Sequence, residues 1–138
     1  MTIYRLLGCL TASYICATAA AQVQVQTLLH LNASGGVTLG PDGFVYVSDF
    51  GSSLAPDPEL TRVYRVDPDS GAYEIFADNF EGASGAAFDR DGNFYQAEPR
   101  GNRISRIATD GTRTVVADGL NTPVGVQVDD DGNVYVCN

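Results

Sequence analysis

Lysine is absent from this chain of 138 residues, and histidine occurs only once. The basic residues are therefore all arginine, and the formal net charge is −9 at pH 7. A surface with this charge repels the phosphate groups of nucleic acids and of anionic lipids. We therefore expect no nucleic-acid partner, and we attribute the acidity to solubility.

Helical periodicity is also lacking over any useful length, whereas short alternating stretches bounded by turn residues occur throughout the chain. Alternation with a period of two is typical of β-strands, and a helix requires a period near 3.6. The sequence therefore predicts an all-β protein.

The longest apolar run lies at the amino terminus. Residues 1–21 carry one positive charge at Arg5, continue as LLGCLTASYICATAAA and end in small residues, as a signal-peptidase site does. A transmembrane anchor is the alternative, but the run is short for a bilayer span and is interrupted by Thr and Ser. We predict a cleaved signal peptide over 1–21, a secreted or periplasmic protein, and no membrane insertion after cleavage.

Cysteine is scarce as well. Cys9 and Cys16 lie in the predicted signal peptide, which leaves Cys137 as the one cysteine of the mature chain. No internal disulfide can then form. Cys137 has the same repeat position as Ser48 and Ala97, so it is predicted to be a small buried strand residue.

A register of two glycines and one tyrosine occurs three times in the chain. In each unit the second glycine follows the first by seven residues, and the tyrosine follows the second by three. The units begin 49 and then 40 residues apart. Modular repeats with such a spacing, when built of short strands, indicate the blades of a β-propeller. The three sets are Gly36, Gly43 and Tyr46; Gly85, Gly92 and Tyr95; and Gly125, Gly132 and Tyr135.

Each unit is predicted to consist of antiparallel strands, up to four in number. Asp–Gly turns separate the first strand from the second, because glycine supplies the positive φ that a tight hairpin needs. The predicted strands are 37–39, 44–48, 62–66 and 72–77 in the first unit, 86–88, 93–97, 103–107 and 112–117 in the second, and 126–128 and 133–137 in the third.

The predicted fold is an all-β, partial β-propeller of about two and a half four-stranded antiparallel blades. The domain covers 22–138, with blades near 36–77, 85–117 and 125–138. The alternating stretch 22–31 is predicted to be the outer strand of a preceding blade. Because a closed ring takes about four to eight blades, we expect the chain to be a fragment or a truncated form of a longer propeller.

The third unit carries a repeat signature that extends over its turn and both of its strands. The residues concerned are Pro123, Gly125, Val126, Val128, Asp129, Gly132, Asn133, Tyr135 and Val136. Together with Gly101–Asn102–Arg103–Ile104 of the second unit, this pattern resembles the NHL-repeat and gluconolactonase (regucalcin)-like six-bladed β-propellers. The resemblance implies the propeller fold and, for the gluconolactonase-like members, a divalent metal in the central channel.

The same resemblance implies where such a metal would bind. The ligands of that family are Glu, Asn or Asp residues just before the glycine that opens the inner strand. The corresponding positions here are Gly35, Ser84 and Val124, and glycine and valine have no side-chain oxygen. This departure argues against metal-dependent hydrolysis by these residues alone.

Two sets of polar residues have equal register in the three units and are predicted to share one face, here called the loop face. They are Asp49, Glu98 and Asn138, and Asn32, Glu81 and Asn121. The long loop 50–61 lies on the same face. Converging carboxylate and amide oxygens could bind Ca²⁺ or another divalent cation, or a polyol. The alternative is that these side chains cap strand ends by accepting hydrogen bonds from local backbone N–H groups.

The runs 89–93 and 129–133 resemble calcium loops in composition. Their glycine follows the first aspartate at a spacing that differs from that of an EF-hand, and a hairpin turn accounts for them. We therefore interpret them as turns.

Two functions are compatible with these patterns. The first is an exported propeller scaffold that binds a small-molecule or protein ligand on its loop face. The alternative is a gluconolactonase/regucalcin-like metal-dependent lactone hydrolase whose site is completed by further blades. One propeller fold supports many unrelated activities, so the fold alone does not decide between these two. The empty metal-ligand positions favour the scaffold.

Overall fold

The computed structural model describes residues 2–7, 24–31, 35–51 and 61–138. Twelve strands and no helix occur within these ranges, which confirms the all-β prediction. The strands are β1 (Thr2–Leu7), β2 (Gln24–His30), β3 (Val37–Leu39), β4 (Val45–Ser48), β5 (Thr61–Val66), β6 (Tyr73–Phe80), β7 (Ala86–Phe88), β8 (Phe94–Glu98), β9 (Arg103–Ile107), β10 (Arg113–Ala117), β11 (Gly125–Val128) and β12 (Val134–Cys137).

Eight of these strands form two four-stranded antiparallel sheets, and each sheet is one propeller blade. Blade 1 has the order β3-β4-β5-β6, and blade 2 repeats it as β7-β8-β9-β10. Strands β11 and β12 pair with each other in the register of the two inner strands of a blade. The prediction of a partial propeller is therefore confirmed.

The outer strand of blade 1 is longer than predicted. It continues beyond residue 77 to Phe80, and two irregularities in its pairing with β5 absorb the extra residues. Asn79 has a φ of 61°, a left-handed conformation that asparagine tolerates better than most residues. The extension brings the ring of Phe80 into the core, where it is fully buried.

A two-stranded sheet of β1 and β2 precedes blade 1. The two strands are antiparallel, with Thr2 opposite His30 and Leu7 opposite Gln24. The strand predicted over 22–31 is thus present, and its partner lies within the segment predicted as a signal peptide. Cleavage of that segment stays a prediction.

The main core lies between the two blades. Alternation along β4 points Tyr46 toward blade 2, and its ring centroid is 4.7 Å from that of Phe88 in blade 2 and 4.9 Å from that of Phe76 in blade 1. Both contacts are edge-to-face, the arrangement that aromatic quadrupoles favour. Val47 points to the opposite side of the sheet and packs with Leu31, which follows β2.

The opening glycines hold the inner strands of neighbouring units close together. The N–H group of Gly36 donates to the carbonyl oxygen of Ser84 at 3.1 Å, and the N–H group of Gly85 donates to that of Val124 at 2.9 Å. A Cβ atom on Gly85 would lie 2.9 Å from the Cα atom of Gly125. Only glycine permits this approach, which explains why the repeat begins with it.

Cys137 is exposed, so the prediction that it is buried is wrong. The equivalent Ser48 is almost fully buried because blade 2 covers it, and its hydroxyl donates to Oε1 of Gln96 at 2.9 Å. Among the described strands, β12 has β11 as its one neighbour within its sheet. The repeat position does not by itself bury a residue; the following blade does.

Candidate functional site

The loop face is built in the same way in each of the three units. The residue before the opening glycine donates its N–H to the end of the second strand, at 3.0 Å in each case. These bonds join Gly35 to Ser48, Ser84 to Ala97 and Val124 to Cys137. The ends of β4, β8 and β12 therefore lie beside the starts of β3, β7 and β11, as the repeat register predicts.

Glu98 is fully buried at this face and is bound on both carboxylate oxygens. Arg103 donates to it from Nε at 3.2 Å and from Nη2 at 2.9 Å, and Ser105 donates from its hydroxyl. The backbone N–H of Glu81 donates to Oε2 at 2.8 Å. Glu98 thus ties the end of β8 to the loop that leads into β7, and its oxygens have protein partners.

The charge of Glu98 is stabilised despite its burial. Burial on its own raises the pKa of this carboxyl, because a low dielectric disfavours the charged form. The hydrogen bonds from Arg103, from the Glu81 backbone and from Ser105 outweigh that effect, and the pKa lies below the usual value for glutamate. Glu98 is therefore an ionised structural anchor.

The third unit repeats the link between these two register positions. Oδ1 of Asn138 accepts a hydrogen bond from the backbone N–H of Asn121, just as Glu98 accepts one from Glu81. In the first unit, Oδ1 of Asp49 accepts from the N–H of Gly51 at 2.8 Å. All three side chains therefore accept hydrogen bonds from nearby backbone N–H groups. This is the capping geometry that the sequence analysis gave as the alternative to ligand binding.

Two parts of the predicted site are outside the described residues. Asn32 is one of them, and residues 52–60 of the long loop are the other. Of the six candidate residues, the structure brings together Glu81 with Glu98 and Asn121 with Asn138. The ligand-binding role of all six stays a prediction.

A recess of about 340 Å³ lies between the inner strands of the three units. Its wall includes the opening glycines Gly36, Gly85 and Gly125, so backbone forms much of it. Gln127 and Cys137, which also line the recess, are exposed side chains. The volume is at the small end of the range for ligand pockets in proteins.

The donor set beside this recess does not fit a divalent metal. Gly35 and Val124 offer no side-chain oxygen, and the hydroxyl of Ser84 donates to the carbonyl oxygen of Val124 at 3.0 Å. Within the part of the chain that the structure describes, no three His, Cys, Asp or Glu side chains are grouped as metal ligands. Divalent cations require several converging oxygen or nitrogen ligands, and these three positions do not supply them.

The aspartate-rich turns lie on the opposite face and are organised by internal hydrogen bonds. Oδ1 of Asp89 accepts from the N–H groups of Asp91 and Asn93, at 3.0 and 2.8 Å. Asp129 repeats these contacts with Asp131 and Asn133 at 3.1 and 2.8 Å. This is the hairpin-turn geometry that the sequence predicts for the two runs.

A buried polar bridge between the blades was not predicted from the sequence. Gln96 is fully buried; its Oε1 accepts from Ser48 of blade 1, and its Nε2 donates to the carbonyl oxygen of Gly85 at 3.1 Å. The signal was present in the repeat alignment, where Gln96 has the position of Val47 and Val136. A polar residue in an apolar column indicates a specific partner, since buried polar groups need hydrogen bonds.

Comparison with known proteins agrees with this architecture. A profile of the SMP-30/gluconolactonase/LRE-like region matches residues 11–138. The chain belongs to this family. The family resemblance drawn from the third unit is thereby confirmed. No curated protein sequence matches the chain.

Several solved structures share the fold. Nidogen in its complex with laminin is 20% identical with a TM-score of 0.68, over 83% of this chain and 43% of the nidogen chain. The luciferin-regenerating enzyme is 14% identical with a TM-score of 0.68, over 98% of this chain and 49% of the enzyme. A gluconolactonase from Xanthomonas campestris is 22% identical with a TM-score of 0.59, over 87% of this chain and 47% of the gluconolactonase.

These identities establish a common fold alone, because propellers host unrelated activities. The present chain spans about half the length of each of these three proteins. Among the described residues, no helix is long and apolar enough to cross a bilayer.

Proposed function

We propose that this chain is a propeller scaffold that binds a small polar ligand on its loop face, in the recess between the inner strands. The observation that carries the proposal is the recess itself, about 340 Å³ in volume and walled by Gly36, Gly85 and Gly125. These three glycines add no side chain to the wall of the recess. Concave sites with a few polar groups are where proteins most often hold small molecules.

The chemistry of the wall favours a neutral polyhydroxylated ligand. The amide of Gln127 presents both a donor and an acceptor in this wall. The formal net charge of −9 disfavours an anion. Glu98 is engaged by Arg103 and Ser105, so the recess takes its polarity from Gln127 and from the backbone rather than from that carboxylate.

The family membership favours a second candidate, hydrolysis of a lactone. Because Gly35, Ser84 and Val124 do not fit a metal, such an activity would need metal ligands from other positions, such as those of further blades. Nidogen, whose fold is similar, forms a complex with laminin, and this supports a protein partner as a further candidate. We place the small polar ligand first because the recess is small.

Titration of the isotope-labelled chain with D-glucitol, followed by amide NMR, tests the proposal. The amide signals of Gly36, Gly85 and Gly125 should shift in a saturable manner, while those of the turns at Asp89 and Asp129 should not. Gln127→Ala should weaken the binding about tenfold, since a polar ligand loses a hydrogen-bonding partner. Gln26→Ala, an exposed glutamine on β2, is the matched control and should leave the affinity unchanged. If the shifts were uniform along the chain, or absent, the proposal that the recess binds the ligand would be wrong.

We also propose that the protein is exported after removal of residues 1–21. The support is the apolar run that ends at Ala21 and the small residues before it. Amino-terminal sequencing of protein expressed in a bacterial host should find Gln22 first. A retained Met1 would contradict export by this route and would leave β1 paired with β2.

A further inference from the structure

A cleft of about 700 Å³ lies between blade 1 and blade 2, among the turns of the face opposite the loop face. Blade 1 lines it with its first hairpin turn, with Tyr46 of β4 and with the middle of β6. Blade 2 lines it with Phe88 of β7, with the turn before β8 and with residues between Ile107 and Arg113. The described residues that line this cleft are all different from those that line the recess. Its volume is within the range of small-molecule sites.

Small side chains and converging turns shape the cleft. Ala77 on β6 and Ala108 after β9 each contribute a single methyl group to its lining. At the turns the two blades approach one another: a Cβ atom on Gly92 would lie 3.5 Å from Cγ2 of Thr109 and 3.9 Å from Cγ of Pro41. The cleft is therefore bounded by turns of both blades, and it is concave rather than a flat surface.

An aromatic wall forms the inner side of the cleft. The rings of Phe76 and Phe88 are half-buried, and each packs edge-to-face on the buried ring of Tyr46, with centroid distances of 4.9 and 4.7 Å. The buried ring of Phe94 lies 5.2 Å from Phe76 and 5.1 Å from Phe88. Because these contacts hold the rings in place, the wall offers a preformed apolar surface to the body of a ligand.

Two carboxylates line the cleft, and their partners differ. Asp42 accepts hydrogen bonds from Nε of Arg65 at 2.9 Å and from the hydroxyl of Tyr46 at 3.0 Å, so an arginine neutralises its charge. Asp78 is exposed and accepts a hydrogen bond from the neutral amide of Asn79 at 2.6 Å. Among the described residues, Asp78 forms no ion pair. Its carboxylate is therefore the acceptor that a cationic group in the cleft would meet.

Arg113 lies in the same part of the cleft but is held by blade 1. Its Nη2 and Nη1 donate to the backbone carbonyl oxygens of Asp78 and Asn79 at 2.6 and 3.2 Å. Its guanidinium carbon lies 4.0 Å from the ring centroid of Phe80. These contacts fasten β10 to the end of β6. Because Arg113 has further N–H groups, an anion is the alternative ligand, and the experiment must decide the sign of the charge.

The charges around the cleft favour a cation. Arg65 is shared by Asp42 and Glu74, so this group has two carboxylates for one guanidinium. Asp78 and Arg113 add one charge of each sign. The surroundings thus carry an excess of negative charge, as does the whole chain with its net charge of −9, and such a field attracts cations. The faces of aromatic rings add to this attraction.

We propose that the cleft between blades 1 and 2 is a ligand site for a small organic cation with an aromatic body, such as a primary arylalkylamine. The aromatic body packs on the wall of Tyr46, Phe76 and Phe88, and the ammonium group donates hydrogen bonds to the carboxylate of Asp78. This site shares no described lining residue with the recess, so the two sites can be tested independently.

Three probes with the same aromatic ring and different charges provide the primary test. The isotope-labelled chain is titrated at pH 7 with 2-phenylethylamine, 2-phenylethanol and phenylacetate, and the amide NMR signals are followed. The amine should shift the signals of Gly92, Thr109 and Gly111 in a saturable manner, and those of the recess glycines should stay in place. We expect the alcohol to bind about fivefold more weakly than the amine, and phenylacetate to bind more weakly still.

The same titrations can overturn the proposal. If phenylacetate bound more tightly than the amine, the cleft would be an anion site at Arg113. Equal affinities for the three probes would show that the carboxylate of Asp78 takes no part. If none of the probes shifted the turn signals, the cleft would not be a ligand site for this class of molecule.

Asp78→Asn tests the proposed partner of the ammonium group. It removes the charge and keeps the shape of the side chain, so the affinity for the amine should fall about fivefold while that for the alcohol stays the same. Asp130→Asn is the matched control, because it changes the net charge equally at an exposed turn residue that does not line the cleft. Equal losses for the two variants would mean that only the overall charge matters, and the proposal would be wrong.

Ala108→Leu tests whether the cleft itself holds the ligand. The larger side chain fills part of the space, so saturable shifts should be lost for the amine and for the alcohol alike. Ala108→Ser, which adds one atom, should keep the binding. Far-ultraviolet circular dichroism should be the same for both variants and for the unsubstituted chain. Full affinity for the amine in a folded Ala108→Leu chain would overturn the proposal.

Discussion

The hydroxyl of Tyr95 donates a hydrogen bond to Oδ2 of Asp89 at 3.2 Å and so fastens the second strand of blade 2 to the turn before it. Tyr135 makes the same bond to Asp129 at 2.9 Å. Blade 1 has Gly40 where the others have this aspartate, and a Cβ there would collide with the ring of Tyr46. Its tyrosine hydroxyl donates to Asp42, two residues farther along, at 3.0 Å.

Loss of this tyrosine hydroxyl should weaken blade 2. Tyr95→Phe removes the hydrogen bond to Asp89 and leaves the ring in place, so the free energy of unfolding should fall by about 1 kcal/mol. Tyr73→Phe is the control: Tyr73 is 56% exposed, and its substitution should change the value by less than about 0.5 kcal/mol. Urea unfolding of both variants makes the comparison, and equal losses would contradict the role of the bond.

Glu98 should be among the most sensitive polar positions of the chain. Glu98→Ala leaves Arg103 and Ser105 without their buried acceptor, and we expect a loss of about 3 kcal/mol in unfolding free energy. Glu74→Ala is a matched control, since Glu74 also pairs with an arginine, Arg65, but on the surface. Exposed pairs contribute less than about 1 kcal/mol. Similar losses for the two variants would show that Glu98 is not a buried anchor.

The same carboxylate makes stability depend on pH. The pKa of Glu98 is lower in the folded chain than in the unfolded chain, because Arg103, the Glu81 backbone and Ser105 stabilise the ionised form against burial. The stabilisation is therefore complete above the unfolded pKa, and it is lost as the pH falls through the folded pKa. Glu98→Gln should show a shallower loss of thermal stability on acidification than the unsubstituted chain. If the midpoint of thermal unfolding fell equally with pH in both proteins, the pH dependence would not come from the Glu98 carboxylate.

The opening glycines should not tolerate even one added methyl group. In Gly85→Ala the new Cβ would lie 2.7 Å from the carbonyl oxygen of Val124, and this contact is with backbone. The neighbouring unit must shift, at a cost of about 2 kcal/mol. Gly36→Ala should behave alike, since its Cβ would lie 2.9 Å from the carbonyl oxygen of Ser84. Thermal unfolding measures both, and unchanged midpoints would mean that the inner strands are not in close contact.

Much of the fold follows from short-range pattern. The inner strand Val37–Leu39 and the third strand Arg103–Ile107 have the bounds that alternation and turn residues predict. These elements depend on local hairpin chemistry, which a single repeat contains. The extension of β6 to Phe80 was missed because bulges in β5–β6 pairing, and not the alternation, permit it.

Contacts between units were harder to predict. Ser48 and Cys137 share a repeat position, yet Ser48 is buried and Cys137 is exposed, since blade 2 covers the first. The link from Glu98 to the Glu81 backbone likewise depends on where the preceding loop returns. The register placed these residues on one face, but only the packing of whole blades decides which oxygens are already bound.

We propose that residues 1–138 form a binding scaffold and do not by themselves supply the metal site of a lactone hydrolase. The most direct measurement is the rate of D-glucono-1,5-lactone hydrolysis by the purified chain, in EDTA and then in excess Ca²⁺, Zn²⁺ or Mn²⁺. Because Gly35 and Val124 provide no metal ligand, we expect the rate of the buffer alone in every case, together with saturable D-glucitol binding. Metal-stimulated turnover that EDTA abolishes would contradict it.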